Sequence, residues 1–426
     1  MVDLKDKAGR PVVVVTGMGV VTSLGAGKSD NWAKLTGGQS GIRTISRFPT
    51  DGLKTKVAGT VDYMALDQMV APRLSEKLAD TAIDEAITQS GIGKKGDFPG
   101  PLFMAVPPVE LEWTQRRELA KAAGSNGPVS YDDLVRAGAA KEFAPYYDLF
   151  MFGSVAEALS EKYGTRGSPI SLSTACASGA TAIQMGVEAI RRGEAEAALC
   201  VGTDGSVNIE SLVRFSLLSA LTTQNDPPQA AAKPFSKNRD GFVMAEGAGA
   251  LVLESYEHAK ARGAKILGVL AGCGEMADAF HRTRSSPDGK PIIGCIKNAL
   301  DDAGLSPDQI DYINPHGTGT PENDKMEALG VTAVFGERAK QIPMSSNKSM
   351  VGHTLSAAGA VEAVFTLLTI EHGRLPPTIN YLVPDPAIPL DVVPNTARDA
   401  KVRAAISNSF GFGGQNVSLV MTGEPA

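Results

Sequence analysis

Cysteine is scarce in this chain, with four in 426 residues, at positions 176, 200, 273 and 295. No pair has a C-x-x-C spacing, so the cysteines suggest neither a zinc site nor a disulfide framework. A reducing cytoplasm is the expected compartment. Long apolar runs are also missing: none approaches the roughly 18 residues that cross a bilayer. The opening "MVDLKDKAGR" holds no apolar signal core, and no membrane insertion is expected. Charge of one sign is not in large excess, and a net of −6 offers no general attraction to nucleic acid or anionic membranes. Low-complexity tracts are absent, and the most loop-like stretches are the proline-bearing 222–235 and 375–395.

What remains is an ordinary globular composition with a large core. Hydrophobic residues make up 43% and charged residues 21% of a chain longer than one typical domain, so two domains or one duplicated unit is expected. Strand-like and helix-like patterns alternate, the mark of a layered α/β architecture. "PVVVVTGMG" at 11–19 reads as a buried strand ending in a glycine turn, and 73–92 as a helix closed by Gly91. After Cys176, Ile183, Val187 and Ile190 share one helical face with Gly193 as the stop, and "AEAALCVGTDG" follows as a strand.

The order then recurs. "KILGVLAGCGE" at 265–275 echoes the first strand and its Gly-x-Gly ending, 292–305 echoes the helix, and "QIDYINPHG" follows as a strand. Strand, small-residue turn and helix fill 342–373, with Val361, Val364, Phe365 and Leu368 on one face and Gly373 as the stop. "EGAGALVLESY" and "GGQNVSLVM" match as closing strands. The spacings differ, so this is a repeated order of elements and not a strict repeat. The expected halves are 1–264 and 265–426.

"TGMGVVTSLGAGKSD" at 16–30 imitates a nucleotide loop. A dinucleotide fingerprint starting at Gly17 needs glycine at 22, and so does a phosphate loop ending in Gly27, Lys28 and Ser29; residue 22 is threonine. The glycines are read instead as a tight strand exit.

"SLSTACASGATA" at 171–182 places Cys176 where strand character stops and helix character starts. The residues alone leave two readings. The cysteine is a small buried filler, or its sulfur is held at the positive end of a helix, where backbone N–H groups favour thiolate and stabilise an oxyanion. Cys200, Cys273 and Cys295 sit in apolar patterns and read as core. Of five histidines, His258, His281 and His372 lie in polar surroundings and read as surface residues. His316 in "NPHGTGTP" and His353 in "NKSMVGHTLSAAGA" stand at glycine-rich turns, and the helix after His353 favours its neutral form. Singly, either is equally a structural histidine. Together, a thiol at one strand-to-helix turn and two histidines in the matching half suggest one site between the halves.

At this point the chain resembles the β-ketoacyl-acyl carrier protein synthases, condensing enzymes of the thiolase-like superfamily, and most nearly their elongating synthase I/II branch. The matching motifs are "STACASGA", "KPFSKNRDGFVMAEGAGALVLE", "NPHGTGTPENDKME", "NKSMVGHTLSAAGAVEA" and "NSFGFGGQN", in family order along essentially the whole chain. The resemblance implies a duplicated thiolase-like fold, layered α-β-α-β-α with pseudo-twofold halves. It also implies a 3-oxoacyl-[acyl-carrier-protein] synthase, an acyltransferase that joins malonyl-acyl carrier protein to an enzyme-bound acyl thioester with loss of carbon dioxide.

Residue by residue, Cys176 falls where the family's cysteine takes the acyl group, and His316 and His353 where two histidines stabilise the enolate. Lys348 matches a lysine that orders the site, with Glu362 as its carboxylate partner, and Asp324 matches a second acid behind it. The backbone N–H groups of Cys176 and Phe412 match the oxyanion hole, and Phe412 a gate over the acyl pocket. Thr318 and Thr320 resemble residues that contact the phosphopantetheine arm, and Phe215 falls at a substrate-binding position. No metal and no cofactor beyond the carrier's phosphopantetheine is implied. The implied partners are acyl carrier protein and a second copy in a homodimer.

The chain departs from the family at three places. A glycine-rich loop near residue 104 is replaced by "MAVPPVELEWTQRRELAKAAG", and the region 104–145 borders the acyl tunnel in the family. Ser219 in "VRFSLLSALTT" stands where a basic docking residue is often found, and "AFHRTRSSPDGKP" is more basic than the commoner form. These point to an altered carrier surface and a longer-chain substrate, such as the very-long-chain acyl groups of lipid A. Arg73 and Lys77 are candidate docking residues for an acidic carrier. The rivals are a cysteine-dependent thioester hydrolase using the same thiol and a non-catalytic chain-length-factor subunit, which would lack Cys176. A degradative thiolase would carry a second cysteine in "SFGFGGQN", and a CoA-primed synthase would pair one histidine with an asparagine.

Overall fold

The computed structural model describes residues 5–66, 69–94, 96–124 and 128–423. Residues 1–4 of the opening segment and 125–127 of the 104–145 region lie outside the described residues.

Nine strands form the row of a ten-stranded sheet: β1 (Val13–Thr22), β2 (Leu102–Ala105), β3 (Ile170–Leu172), β4 (Ala197–Asp204), β5 (Gly247–Ser255), β6 (Gly268–Ala277), β7 (Tyr312–Asn314), β8 (Ala404–Phe410) and β9 (Gln415–Thr422). Their order is β7-β8-β9-β6-β1-β5-β4-β2-β3, and the two-residue strand Gly25–Ala26 pairs with β1. All ten residues of β1 are buried, which is why it reads as an unbroken apolar run without alternation.

The glycine turn expected at the end of this strand does not form, because β1 continues through Gly17 and Gly19 to Thr22. These glycines serve packing. A Cβ on Gly17 would stand 2.0 Å from the carbonyl oxygen of Ala86, and one on Gly19 would stand 1.9 Å from that of Ala82. Helix α1 (Ala71–Ser90) therefore lies directly on the strand backbone. It begins with Pro72 in its first turn, buries Leu74, Leu78, Ala82 and Ala86 at four-residue spacing, and stops at Gly91 in the left-handed conformation. In β6 the device recurs: Cβ atoms on Gly272 and Gly274 would each come within 2.3 Å of the backbone of helix α4 (Lys290–Ala303) at Ala299.

The halves repeat one topology. In the first, β1 pairs antiparallel with β5, β5 antiparallel with β4, and β4 parallel with β2. In the second, β6 pairs antiparallel with β9, β9 antiparallel with β8, and β8 parallel with β7. Among the described residues, Val14–Val269 and Val15–Gly268 are the strand pairs that join the two sets. The second counterpart of β3 shrinks to a single parallel bridge, Ile313–Met344, where Pro315 and Pro343 cut the strands short.

Helices α2 (Ser178–Arg191) and α6 (Ala358–His372) fill the layer between the two strand sets, with α1 outside the first and α4 outside the second. The layers thus run α-β-α-β-α. Every position of α6 from Ala358 to Thr369 is buried. Val361, Val364, Phe365 and Leu368 share the expected face, and the other faces are buried as well, because a central-layer helix meets protein on all sides. α2 and α6 start against each other, and a Cβ on Gly179 would stand 2.6 Å from the nitrogen of Ala360, while one on Gly359 would stand 2.4 Å from that of Ala180. Small residues open both helices because their backbones touch there.

Between β2 and β3 the chain forms helices Trp113–Ala122, Tyr131–Gly138, Ala144–Phe150 and Ser154–Tyr163. Trp113, Tyr131 and Tyr147 are exposed. No helix among the described residues is long and apolar enough to cross a membrane.

Candidate active site

Cys176 sits at the end of a strained turn. Ala175 before it has φ of 48°, a left-handed conformation that costs a non-glycine residue about 1 kcal/mol or more. Ser178 braces that turn: its hydroxyl accepts the N–H of Thr174 at 2.8 Å and donates to the carbonyl of Ala175 at 2.6 Å. The sulfur lines a cavity of about 280 Å³ with 8% of the residue exposed.

His316 follows β7, and His353 is held edge-on to the segment before β5. The N–H of His353 donates to Val243 at 2.7 Å, and its carbonyl accepts from Ala245 at 2.9 Å. Both rings line the same cavity. One donor atom from each of Cys176, His316 and His353 lies within 4.8 Å of the others, and the ring centroids are 5.3 Å apart, edge to face. Leu355 donates its N–H to Nδ1 of His353 at 3.3 Å, which places the ring proton on Nε2. That Nε2 and the Nδ1 of His316 have no partner among the described residues.

Burial, then the charge of Lys348, pushes both imidazoles well below the ordinary histidine range. The Lys348 ammonium is buried and paired with Glu362, whose carboxyl burial raises to about 7 against the pull of the lysine. Neither residue touches the cavity. Lys348 thus sets a positive charge behind the two rings, which adds to burial in holding both neutral.

The thiol departs from expectation. Burial pushes it up to about 11, outweighing the lowering effects of the Phe412 amide, the Lys348 charge and its own amide. The helix start does not deliver a resting thiolate, because desolvation exceeds what the few facing N–H groups return. The amides of Phe412 and Cys176 both face the sulfur. Phe412 rides on the turn between β8 and β9, whose Gly411 would place a Cβ 2.8 Å from the carbonyl of Thr174. That turn is tied to residues 278–282, since Gly413 donates to the Arg282 carbonyl and Asp278 to that of Gly414.

Phe215, on helix α3 (Ile209–Leu217), and Thr318 and Thr320 also line the cavity, with the two threonine hydroxyls 3.0 Å apart and Phe215 edge-on to Phe242. Asp324 lies behind it, accepting from the N–H of Phe235 at 2.7 Å and of Gly319 at 3.1 Å. Among the described residues, none of the 104–145 region lines this cavity. His281, expected as a surface residue, stands at the mouth with Arg282, Arg284 and Ser219. His258 pairs instead with the buried Glu254, and His372 stacks on Trp32. Arg73 and Lys77 are exposed on α1, Arg73 paired with Glu76.

The sequence reading missed Glu327, which accepts the N–H groups of His316 and Gly317 at 2.8 Å each. It lies three residues after Asp324 on helix α5 (Pro321–Phe335), and that spacing puts both acids on one face. Cys176, His316 and His353 also form the one group among the described residues that could hold a metal ion. A protonated thiol and the adjacent Lys348 charge oppose a cation there.

Two family models match the chain: "Beta-ketoacyl synthase, N-terminal domain" over 10–95 and 112–259, and "Beta-ketoacyl synthase, C-terminal domain" over 267–382. A 3-oxoacyl-[acyl-carrier-protein] synthase 2 of Coxiella burnetii is 37% identical, covering 96% of this chain and 98% of its own. The ketoacyl synthase alpha subunit of the tetracenomycin polyketide synthase of Streptomyces glaucescens is 35% identical, covering 96% of each. A type II polyketide ketosynthase, solved with its acyl-carrier protein and bound to a hexaketide, superposes with a TM-score of 0.87 at 35% identity over 97% of this chain and all of its own. With its layered fold, its buried thiol facing two neutral imidazoles, and relatives this similar along nearly its full length, the chain belongs to the β-ketoacyl synthase family.

Proposed function

We propose that this protein is a 3-oxoacyl-[acyl-carrier-protein] synthase that extends an acyl chain by decarboxylative Claisen condensation in fatty-acid synthesis. The observation that carries this reading is the convergence of Cys176, His316 and His353 within 4.8 Å, with both rings kept neutral. In the first half-reaction, the sulfur of Cys176 attacks an acyl thioester on the carrier's phosphopantetheine. The C–S bond to the carrier breaks, and the thiol proton leaves with the departing pantetheine sulfur. In the second, a malonyl thioester places its carbonyl oxygen toward His316 and His353. Carbon dioxide departs, and the electron pair of the broken C–C bond becomes an enolate that the two imidazole donors stabilise.

The enolate carbon then attacks the Cys176 thioester. The amides of Cys176 and Phe412 supply donors for the tetrahedral oxyanion, and its collapse returns the Cys176 thiolate, which takes a proton from water. Lys348, Glu362 and Asp324 act from behind the cavity, while Thr318, Thr320 and Phe215 line the path of the arm. The exposed Arg73 and Lys77 offer an acidic carrier a docking surface, and the arginine-bearing mouth at 282–284 adds to it. We further take the chain to be a cytoplasmic homodimer that divides at 264/265. The free edge of β3, with Ile170 exposed, and the matching strand orders support that reading.

The decisive experiment supplies acyl- and malonyl-acyl carrier protein and measures carbon dioxide and 3-oxoacyl product. Release of free fatty acid without condensation would favour the hydrolase.

A further inference from the structure

Asp204, the last residue of β4, is 1% exposed and has no part in the chemistry above. One carboxylate oxygen accepts the N–H of Ser206 at 3.0 Å and its hydroxyl at 2.6 Å. The other crosses to the second half and accepts the N–H of Ser356 at 3.1 Å. Ser356 follows Leu355, which has φ of 47° and whose N–H fixes the ring of His353 through Nδ1. Two facts therefore meet at one buried acid: it closes the His353 turn, and it spans the two halves.

We propose that Asp204 is a positioning residue that latches the His353 turn. The latch works through hydrogen bonding. A carboxylate is acceptor-only and satisfies donors on both oxygens, whereas an amide can satisfy donors on one side alone. Burial lifts the Asp204 carboxyl to about 6, so above that pH it is ionised and accepts on both oxygens.

The proposal rests on the condensing function, and its test separates the two. Hydrogen exchange of the Leu355 and Ser356 amides, read by peptide mass, needs no carrier substrate. D204N removes one acceptor, so these amides should exchange about tenfold faster while those of α1 are unchanged, and malonyl-acyl carrier protein should be decarboxylated about tenfold more slowly with KM little changed. D204E keeps both acceptors but displaces them, so both effects should be smaller than in D204N. Either variant carries the test if the other does not fold. Unchanged exchange at Leu355 and Ser356 in D204N, or undiminished decarboxylation, overturns the proposal. If the unsubstituted chain decarboxylates nothing, the condensing function fails, and exchange alone decides for or against Asp204.

Discussion

The proton on Cys176 answers to opposing influences: burial holds it on, while two amides and Lys348 pull it off. Since burial wins, alkylation of the unsubstituted protein should be slow near neutrality and rise with pH toward a midpoint near 11. A plateau reached below about pH 8.5, the ordinary thiol value, would contradict this. The Lys348–Glu362 pair invites a second test. Lys348→Met leaves a buried carboxylate unpaired and should cost about 3–5 kcal/mol in urea unfolding, most of it recovered in Lys348→Met with Glu362→Leu. The same substitution removes the charge that depresses the two imidazoles, so their pKa values rise and protonation reaches them at higher pH. Decarboxylation by the double variant should therefore fall away on acidification sooner than in the unsubstituted chain, as a rate–pH profile would show. Cys176, His316 and His353 could be picked out from sequence because thiols and imidazoles are rare in this chain. Asp204 and Glu327 could not, because acids are common and most of their partners here are backbone N–H groups, which carry no residue signature.

Individual elements show where local pattern misleads. A glycine that ends a strand and one over which a helix lies look alike in sequence, since both exploit a missing Cβ. Gly17 and Gly19 are the second kind. Gly19→Ala should destabilise the protein by at least about 1–3 kcal/mol in chemical denaturation, because the added methyl meets the Ala82 carbonyl of a whole helix rather than a mobile side chain. A wild-type midpoint would show that α1 can shift freely. The helix periods were readable, but not the all-round burial of α6, because which of its faces meet protein is decided by the layer it occupies.

For the whole molecule, the alternation of elements and their repeated order were enough to indicate layering and duplication. The two-residue join between strand sets was not, since pairing between distant segments leaves no local mark. Both central helices pack on both sets, so neither half encloses its own core. Residues 1–264 expressed alone should aggregate or stay unfolded by circular dichroism. A cooperative melt of that fragment would mean that the halves are independent. If β3 meets its counterpart in a second copy, sedimentation should give the mass of two chains, and Ile170→Lys should shift it toward one.

The contact between α2 and α6 also limits how the sequence can change. Gly179 and Gly359 each face the main chain of the opposite helix, so no rotamer adjustment by a neighbour can make room for a new side chain. Variation can therefore accumulate independently on the rims of the two halves, while this hub admits none on either side. In a saturation library, both positions should stay glycine, in single and in paired substitutions alike.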